Sequence, residues 1–136
     1  MADEAILRTR FSDPVDFTCA DGTAIPKGTL VYLSGDRTVA IATANSDVIG
    51  VVARDKIASD GRVTVSVFID GIFDMTDSGS GITRGAAVAA AGSNEIKTAV
   101  AGDVGMETVG YAIETASADE IIQVLLKPGC NNNAYS

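Results

Sequence analysis

The chain of 136 residues contains no histidine and no tryptophan. Without histidine it lacks the side chain that most often serves as general base, proton shuttle or metal ligand near neutral pH. Ser-His-Asp and Cys-His arrangements are therefore excluded. Aromatic residues make up only 5 %, which argues against a stacking platform for single-stranded nucleic acid or an aromatic sugar-binding face. Tyr32, Phe68, Phe73 and Tyr111 fall in strand-like segments and read as core or subunit contacts. The two cysteines, Cys19 and Cys130, lie near opposite ends. They read as reduced cytosolic thiols, although spacing alone leaves a disulfide open. Far apart and without histidine, they do not make a zinc site.

Positive charge is also scarce. Ten basic residues face eighteen acidic ones, for a formal charge of −8. Phosphate binding needs a positive field, so nucleic acid is not an expected partner. Anionic membrane surfaces are disfavoured for the same reason. No apolar run is long enough to span a bilayer. The leading MADEAILRTR is polar and lacks the apolar stretch of a secretory signal, which predicts synthesis in a cytosol.

The carboxylates do not converge. Asp70, Asp74 and Asp77 are spaced by four and three residues, without the alternating ligands and closing Glu of a calcium loop. Gly79-Ser80-Gly81 lacks the lysine spacing of a phosphate-cradling loop. No catalytic residue, cofactor site or metal site is expected.

What the chain has is glycine and small β-branched residues. Fourteen glycines punctuate runs rich in Val, Ile and Thr. That pattern predicts an all-β fold, a small barrel or sandwich of short antiparallel strands, in one compact domain. The clearest strand spans 62–69, with Val63, Val65, Val67 and Ile69 on one face. Asp60-Gly61 before it predicts a hairpin with 51–57. Further strands are expected at 30–34, 38–43, 48–53, 71–75, 87–91, 95–99, 109–114 and 121–127. A weak helix signal at 84–91 competes with the strand there.

The strands repeat. Ile25, Lys27, Gly28, Val31, Gly35 and Val39 match Ile82, Arg84, Gly85, Val88, Gly92 and Ile96 at an offset of 57 residues. Ile49-Gly50-Val51-Val52 matches Val109-Gly110-Tyr111-Ala112 at 60, and residues 62–67 match 120–125 at 58. Two such units, paired, hide edges that would otherwise aggregate. The ends lack this patterning. Residues 1–20 read as an extended N-terminal arm, 21–128 as the domain, and 129–136 as a short C-terminal tail. Ile6, Leu7 and Phe11 are apolar within the polar arm, which suits docking on a partner by strand addition.

Residues 22–127 resemble the small phage head decoration, or capsid cement, proteins, including the lambda-type head decoration family. The resemblance rests on three stretches. They are Ile25-Pro26-Lys27-Gly28 leading to Val31, the Ile49-Gly50-Val51-Val52-Ala53 strand, and Val63-Thr64-Val65 running to Gly71-Ile72-Phe73. It implies a non-enzymatic structural protein on the outer capsid surface of the virion, made in the host cytoplasm. Its implied partners are the major capsid protein and further copies of itself, often as a homotrimer. Its implied role is to stabilise the expanded shell, with Ile6, Leu7 and Phe11 in the capsid-contacting arm. The alternative is a small β module of a virion or tail component that binds carbohydrate or protein.

Overall fold

The computed structural model describes residues 4–44, 46–99 and 108–128. They form eleven strands, with no helix among the described residues. These are β1 (Ile6–Thr9), β2 (Val15–Thr18), β3 (Leu30–Gly35), β4 (Thr38–Ile41), β5 (Val48–Val52), β6 (Thr64–Phe68), β7 (Gly71–Thr76), β8 (Ala87–Gly92), β9 (Glu95–Thr98), β10 (Thr108–Ala112) and β11 (Ile121–Leu126). The weak helical stretch at 84–91 is turn and strand, since Val88, Ala89 and Ala90 are buried by sheet packing that a short glycine-bounded helix lacks.

Strands β2 to β6 close into a barrel in the order β2-β4-β3-β5-β6. The rest form a six-stranded sheet in the order β1-β7-β11-β10-β8-β9. From β7 onward that order is the barrel's own, with every strand moved on by five. A parallel bridge between Asp77 and Ile96 returns the end of β7 to β9. In the first unit the parallel pair Thr18–Thr38 joins β2 to β4 in the same way.

The duplication extends to single hydrogen bonds. The amides of Gly28 and Gly85 donate to the carbonyls of Val52 and Ala112, at 2.9 and 2.7 Å. Ile25 bridges Lys56, and Ile82 bridges Ala116. Both glycines hold a left-handed backbone, with φ of +83° and +86°, where residues with a Cβ are strained. The glycines of the two "I/V-G" strands allow close crossing instead. A Cβ on Gly50 would sit 2.1 Å from the Phe68 carbonyl oxygen, and one on Gly110 1.8 Å from that of Leu125.

The last sequence match needs correcting by one residue. Residues 62–67 were expected to correspond to 120–125. The inward side chains are Val65 and Val67 in β6, but Ile122 and Val124 in β11, so the structural offset is 57. A slip of one residue exchanges the two faces of a strand, so burial decides the register. The hairpin at Asp60-Gly61 is corrected too. Strand β5 does pair with β6, through Val51–Phe68 and Val52–Val67, but the link between them is the whole of residues 53–63.

Val65 and Val67 point into the first barrel with Cys19, Ile25, Val31, Val39 and Val52. Val63 and Ile69 do not join them. They lie beyond the two ends of β6 and are exposed. Phe68, read from the sequence as a core or subunit contact, is buried in the larger core, where the second unit covers it. Its ring meets that of Phe73 edge to face at 5.9 Å. The larger core runs from inside the second unit through this contact, joining Phe73, Met75, Ile82 and Ile96 to Leu30, Val48 and Val51. Each such side chain contributes about 1.5–3 kcal/mol on burial. Asn94, at the β8–β9 turn, fastens the units by accepting from the Leu30 amide (2.8 Å) and donating to the Gly28 carbonyl (2.9 Å).

Candidate functional site

The residues expected in an arm are strands of the fold. Short as it is, β1 pairs antiparallel with β7 of the second unit, Ile6 opposite Asp74 and Leu7 opposite Phe73. Just before it, the buried Ala5 donates its amide to the Gly28 carbonyl of the first unit, at 3.0 Å. Strand β2 is a stave of the barrel, paired with β6 from Val15–Val67 to Thr18–Thr64. The expectation of an extended arm outside the domain fails for these residues, because their backbone groups pair within the fold, with β7, with β6 and with the Gly28 turn.

Strand alternation separates the three predicted contact residues. Leu7 turns inward against the larger core. Ile6 points outward and is 48 % exposed. Phe11, in the connection between β1 and β2, is 53 % exposed. That connection is held to the β6–β7 turn. The Ser12 hydroxyl meets an Asp70 carboxylate oxygen at 2.7 Å. Arg10 lies over the Phe68 ring, 5.8 Å from its centroid, and pairs with Asp13. Arg8 pairs with Asp74 at 3.7 Å. Ile6 and Phe11 are thus presented on an anchored, charged frame.

The acidic triplet of the sequence is dispersed. Asp70 holds Ser12, Asp74 faces Arg8, and Asp77 is buried. One Asp77 oxygen accepts from the amides of Gly81 (2.9 Å) and Asp119 (3.3 Å). The Gly-Ser-Gly turn therefore bends around a carboxylate, which would repel phosphate. Among the described residues no group of three or more His, Cys, Asp or Glu side chains is placed to hold a metal ion. Cys19 is a free, buried thiol whose pKa is raised by burial, which keeps it unreactive. Cys130 lies outside the described residues.

Sequence reading missed one polar cluster. Lys56 is buried in the loop between β5 and β6. Its ammonium donates to Asp60 (2.8 Å), to Asp21 (3.0 Å) and to the carbonyls of Ile57 (2.6 Å) and Asp21 (3.1 Å). Burial alone would lower the Lys56 pKa, but the hydrogen bonds and charges of Asp60 and Asp21 hold it above its ordinary value. The Lys56 hydrogen bond and the Arg62 amide bring Asp60 down to about 2. The repeat carries a signal for this cluster, since Lys56 takes the place of the buried Ala116 of the second unit. A shallow groove of about 630 Å³ runs beside the loop, lined by Glu4, Pro26, Lys27 and Ile57 among others.

The family model described as "Phage cement protein" matches residues 10–128, both units but not β1. A search of curated proteins finds no match. Among solved structures, the chain is similar to the head fiber gp8.5 N base of bacteriophage phi29, at 18 % identity and a TM-score of 0.56. The likeness covers 83 % of this chain and 93 % of that one. At that identity the likeness is one of fold.

Proposed function

The chain belongs to the phage cement protein family, a family of capsid-associated structural proteins, and from that premise we propose that it binds the outer surface of the phage head. There it stabilises the expanded shell against the pressure of packaged DNA, without catalysis, beside the major capsid protein and further copies of itself. The observation that carries this reading is the family match across both units. The physical chemistry agrees with it. A shell binder needs a rigid body and exposed anchors, and its strength comes from many weak contacts made together.

The contact includes the face bearing Ile6 and Phe11. Both are large, apolar and outward, and both are fixed by the pairing of β1 and by the Ser12–Asp70 and Arg10–Phe68 contacts. A preorganised anchor loses little ordering entropy on binding. Leu7 acts behind them as packing.

The test is co-sedimentation with undecorated expanded heads. Ile6→Asp and Phe11→Asp place a charge on the face without touching the core, so melting should stay near wild type while head binding weakens tenfold or more. Leu7→Ala should do the reverse, lowering stability by about 1–2 kcal/mol with binding retained once folded. Unchanged binding by the Ile6→Asp, Phe11→Asp double variant would remove this face from the contact.

A further inference from the structure

The duplicated fold makes the same seam twice and finishes it differently. Each unit brings its first strand back to its third as a parallel neighbour, β2 to β4 and β7 to β9. Past that meeting point the second unit is stitched shut. The Ser78 amide donates to the Ile96 carbonyl (2.9 Å), and the Thr98 hydroxyl to the Gly81 carbonyl (3.4 Å). In the first unit Ala20 stands where Ser78 does, because the amides of Cys19 and Asp77 bond the matching carbonyls of Val63 and Glu120. Val39 and Ile41 stand where Ile96 and Thr98 do. Among the described residues no hydrogen bond joins 19–25 to β4.

The Lys56 cluster is the cause. It turns the polar groups of one wall away from β4. Cys19 bonds the Val63 carbonyl, Ile25 exchanges two bonds with Lys56, and the Asp21 carbonyl accepts from Lys56 and from the Ser59 amide. The other wall is a strand edge. The Ala42 amide bonds the Leu30 carbonyl, so two residues back Ala40 also turns its backbone groups to β3, at its partner Tyr32. The Ile41 amide and the carbonyls of Val39 and Ile41 therefore face the seam. Between the walls lies a pocket of about 260 Å³, lined by Ala20, Thr23, Ile25, Val39, Ala40 and Ile41.

We propose that this seam binds an extended segment of another protein, which adds a strand to β4 and seats one large apolar side chain in the pocket. Two observations specify that chemistry. Backbone groups in a row along an edge select an extended polypeptide, and an apolar pocket beside them selects a residue such as Leu, Met or Phe. Both walls are fixed beforehand, one by Lys56 and one by β3, so little ordering is lost on binding. Exposed edges are ordinarily blunted, and the β2 edge of the same seam is. Arg37 donates to the Asp16 carbonyl (2.9 Å), and Pro14 has no amide hydrogen to offer. The β4 edge carries no such guard. The site uses none of the residues of the Ile6 and Phe11 face and does not depend on the capsid reading.

Soluble peptides test this on the full chain, without heads. The probes are acetyl-Lys-Thr-X-Thr-Lys amides with X as Leu, Phe or Asn, followed by amide NMR. The Leu and Phe peptides should shift the Val39 and Ile41 amides at up to millimolar concentration, and should bind at least tenfold more tightly than the Asn peptide. Ala20→Trp fills the pocket with the chain's only tryptophan, whose blue-shifted emission reports its burial, and should abolish binding. Ile41→Pro removes the seam-facing amide and should weaken binding tenfold or more. Melting curves show whether both variants fold, and Ala20→Trp decides if the proline variant does not.

No shift at Val39 and Ile41 up to millimolar peptide overturns the proposal. So do equal affinities for the Leu and Asn peptides, or binding that survives a filled pocket. Binding seen only after residues 129–136 are removed would make the chain's own tail the occupant and overturn the assignment to another protein. Shifts of the same amides with protein concentration alone would give the seam to a second copy, with the same consequence.

Discussion

Gly28 and Gly85 are the same residue of the duplicated unit in different surroundings, and replacing each by alanine separates two energies. At both sites φ is near +85°, and a residue with a Cβ loses about 1–2 kcal/mol there, partly offset by a stiffer unfolded chain. At Gly85 the new methyl meets nothing within 4 Å, so Gly85→Ala should lose about 1 kcal/mol in all. At Gly28 the methyl would lie 2.1 Å from Glu4 Cγ, 2.8 Å from the Ala5 carbonyl oxygen and 3.1 Å from the Ala5 nitrogen. The glutamate can swing away, but the backbone of residue 5 must move. That breaks the Ala5–Gly28 hydrogen bond, worth about 1–3 kcal/mol when a buried partner is left orphaned. It also loosens the packing of Ala5 and Leu7, for about 1–2 kcal/mol more. Gly28→Ala should therefore lose about 3–6 kcal/mol. At about 3–4 °C per kcal/mol for a chain of this length, the Tm should fall by roughly 9–24 °C, against roughly 3–4 °C for Gly85→Ala. The assay is calorimetric melting of both variants, repeated on a chain lacking residues 1–5. Without that segment the two substitutions should have similar effects. Equal losses in the full-length chain would refute the seating of the N-terminal segment on the Gly28 turn.

Other outcomes follow from the same structure. Val65→Asp puts an unpaired carboxylate among Cys19, Ile25 and Val31 and should lower stability by about 3–4 kcal/mol, read by urea unfolding; a wild-type midpoint would show that β6 faces the other way. Asn94→Ala removes both of its hydrogen bonds to Gly28 and Leu30 and should lose about 2–4 kcal/mol, with faster amide exchange at Leu30. Asp60 has a folded pKa of about 2, below its unfolded value of about 3.9. Its contribution is full above the unfolded value and lost as pH falls from about 4 to about 2. Asp60→Asn should flatten the decline of Tm in that window, and an unchanged acid limb would exclude the Lys56 pair as its source.

The nine strands from β3 to β11 were legible because each unit writes its own punctuation. Gly28 and Gly85 mark positive φ, and Ser93-Asn94 turns a hairpin with both residues left-handed. Strands β1 and β2 were not legible. Each has four residues, and what makes them strands is β7 and β6, far along the chain, which local pattern does not contain. The offset of β11 slipped by one because Ile121-Ile122-Gln123-Val124-Leu125-Leu126 is apolar on both faces, so hydrophobicity alone cannot tell inside from outside. The Lys56 cluster hid for a different reason. Asp-Lys-Ile-Ala-Ser-Asp reads as a solvated loop until the ladder between Ile25 and Lys56 is seen to draw the lysine inside. Of the candidate contact residues, sequence identified the apolar character of Ile6, Leu7 and Phe11 but not their division, which needed the pleat of β1.

The placement of β1 also orders events in time. The β2–β6 barrel can close once the ribosome has released residue 68, but β1 has no partner until β7, ending at Thr76, has been made. Its pairing spans more than sixty residues and carries a correspondingly slow loop closure. The first strand of the chain is therefore among the last to lock. In the finished molecule, with one ladder of three residue pairs, it is the first to come undone. Native-state hydrogen exchange should show residues 6–9 opening well below the global unfolding free energy while the barrel stays shut. A newly made copy thus has a folded first barrel before its Ile6 is set in place, which delays any surface built on β1 until the second unit has formed.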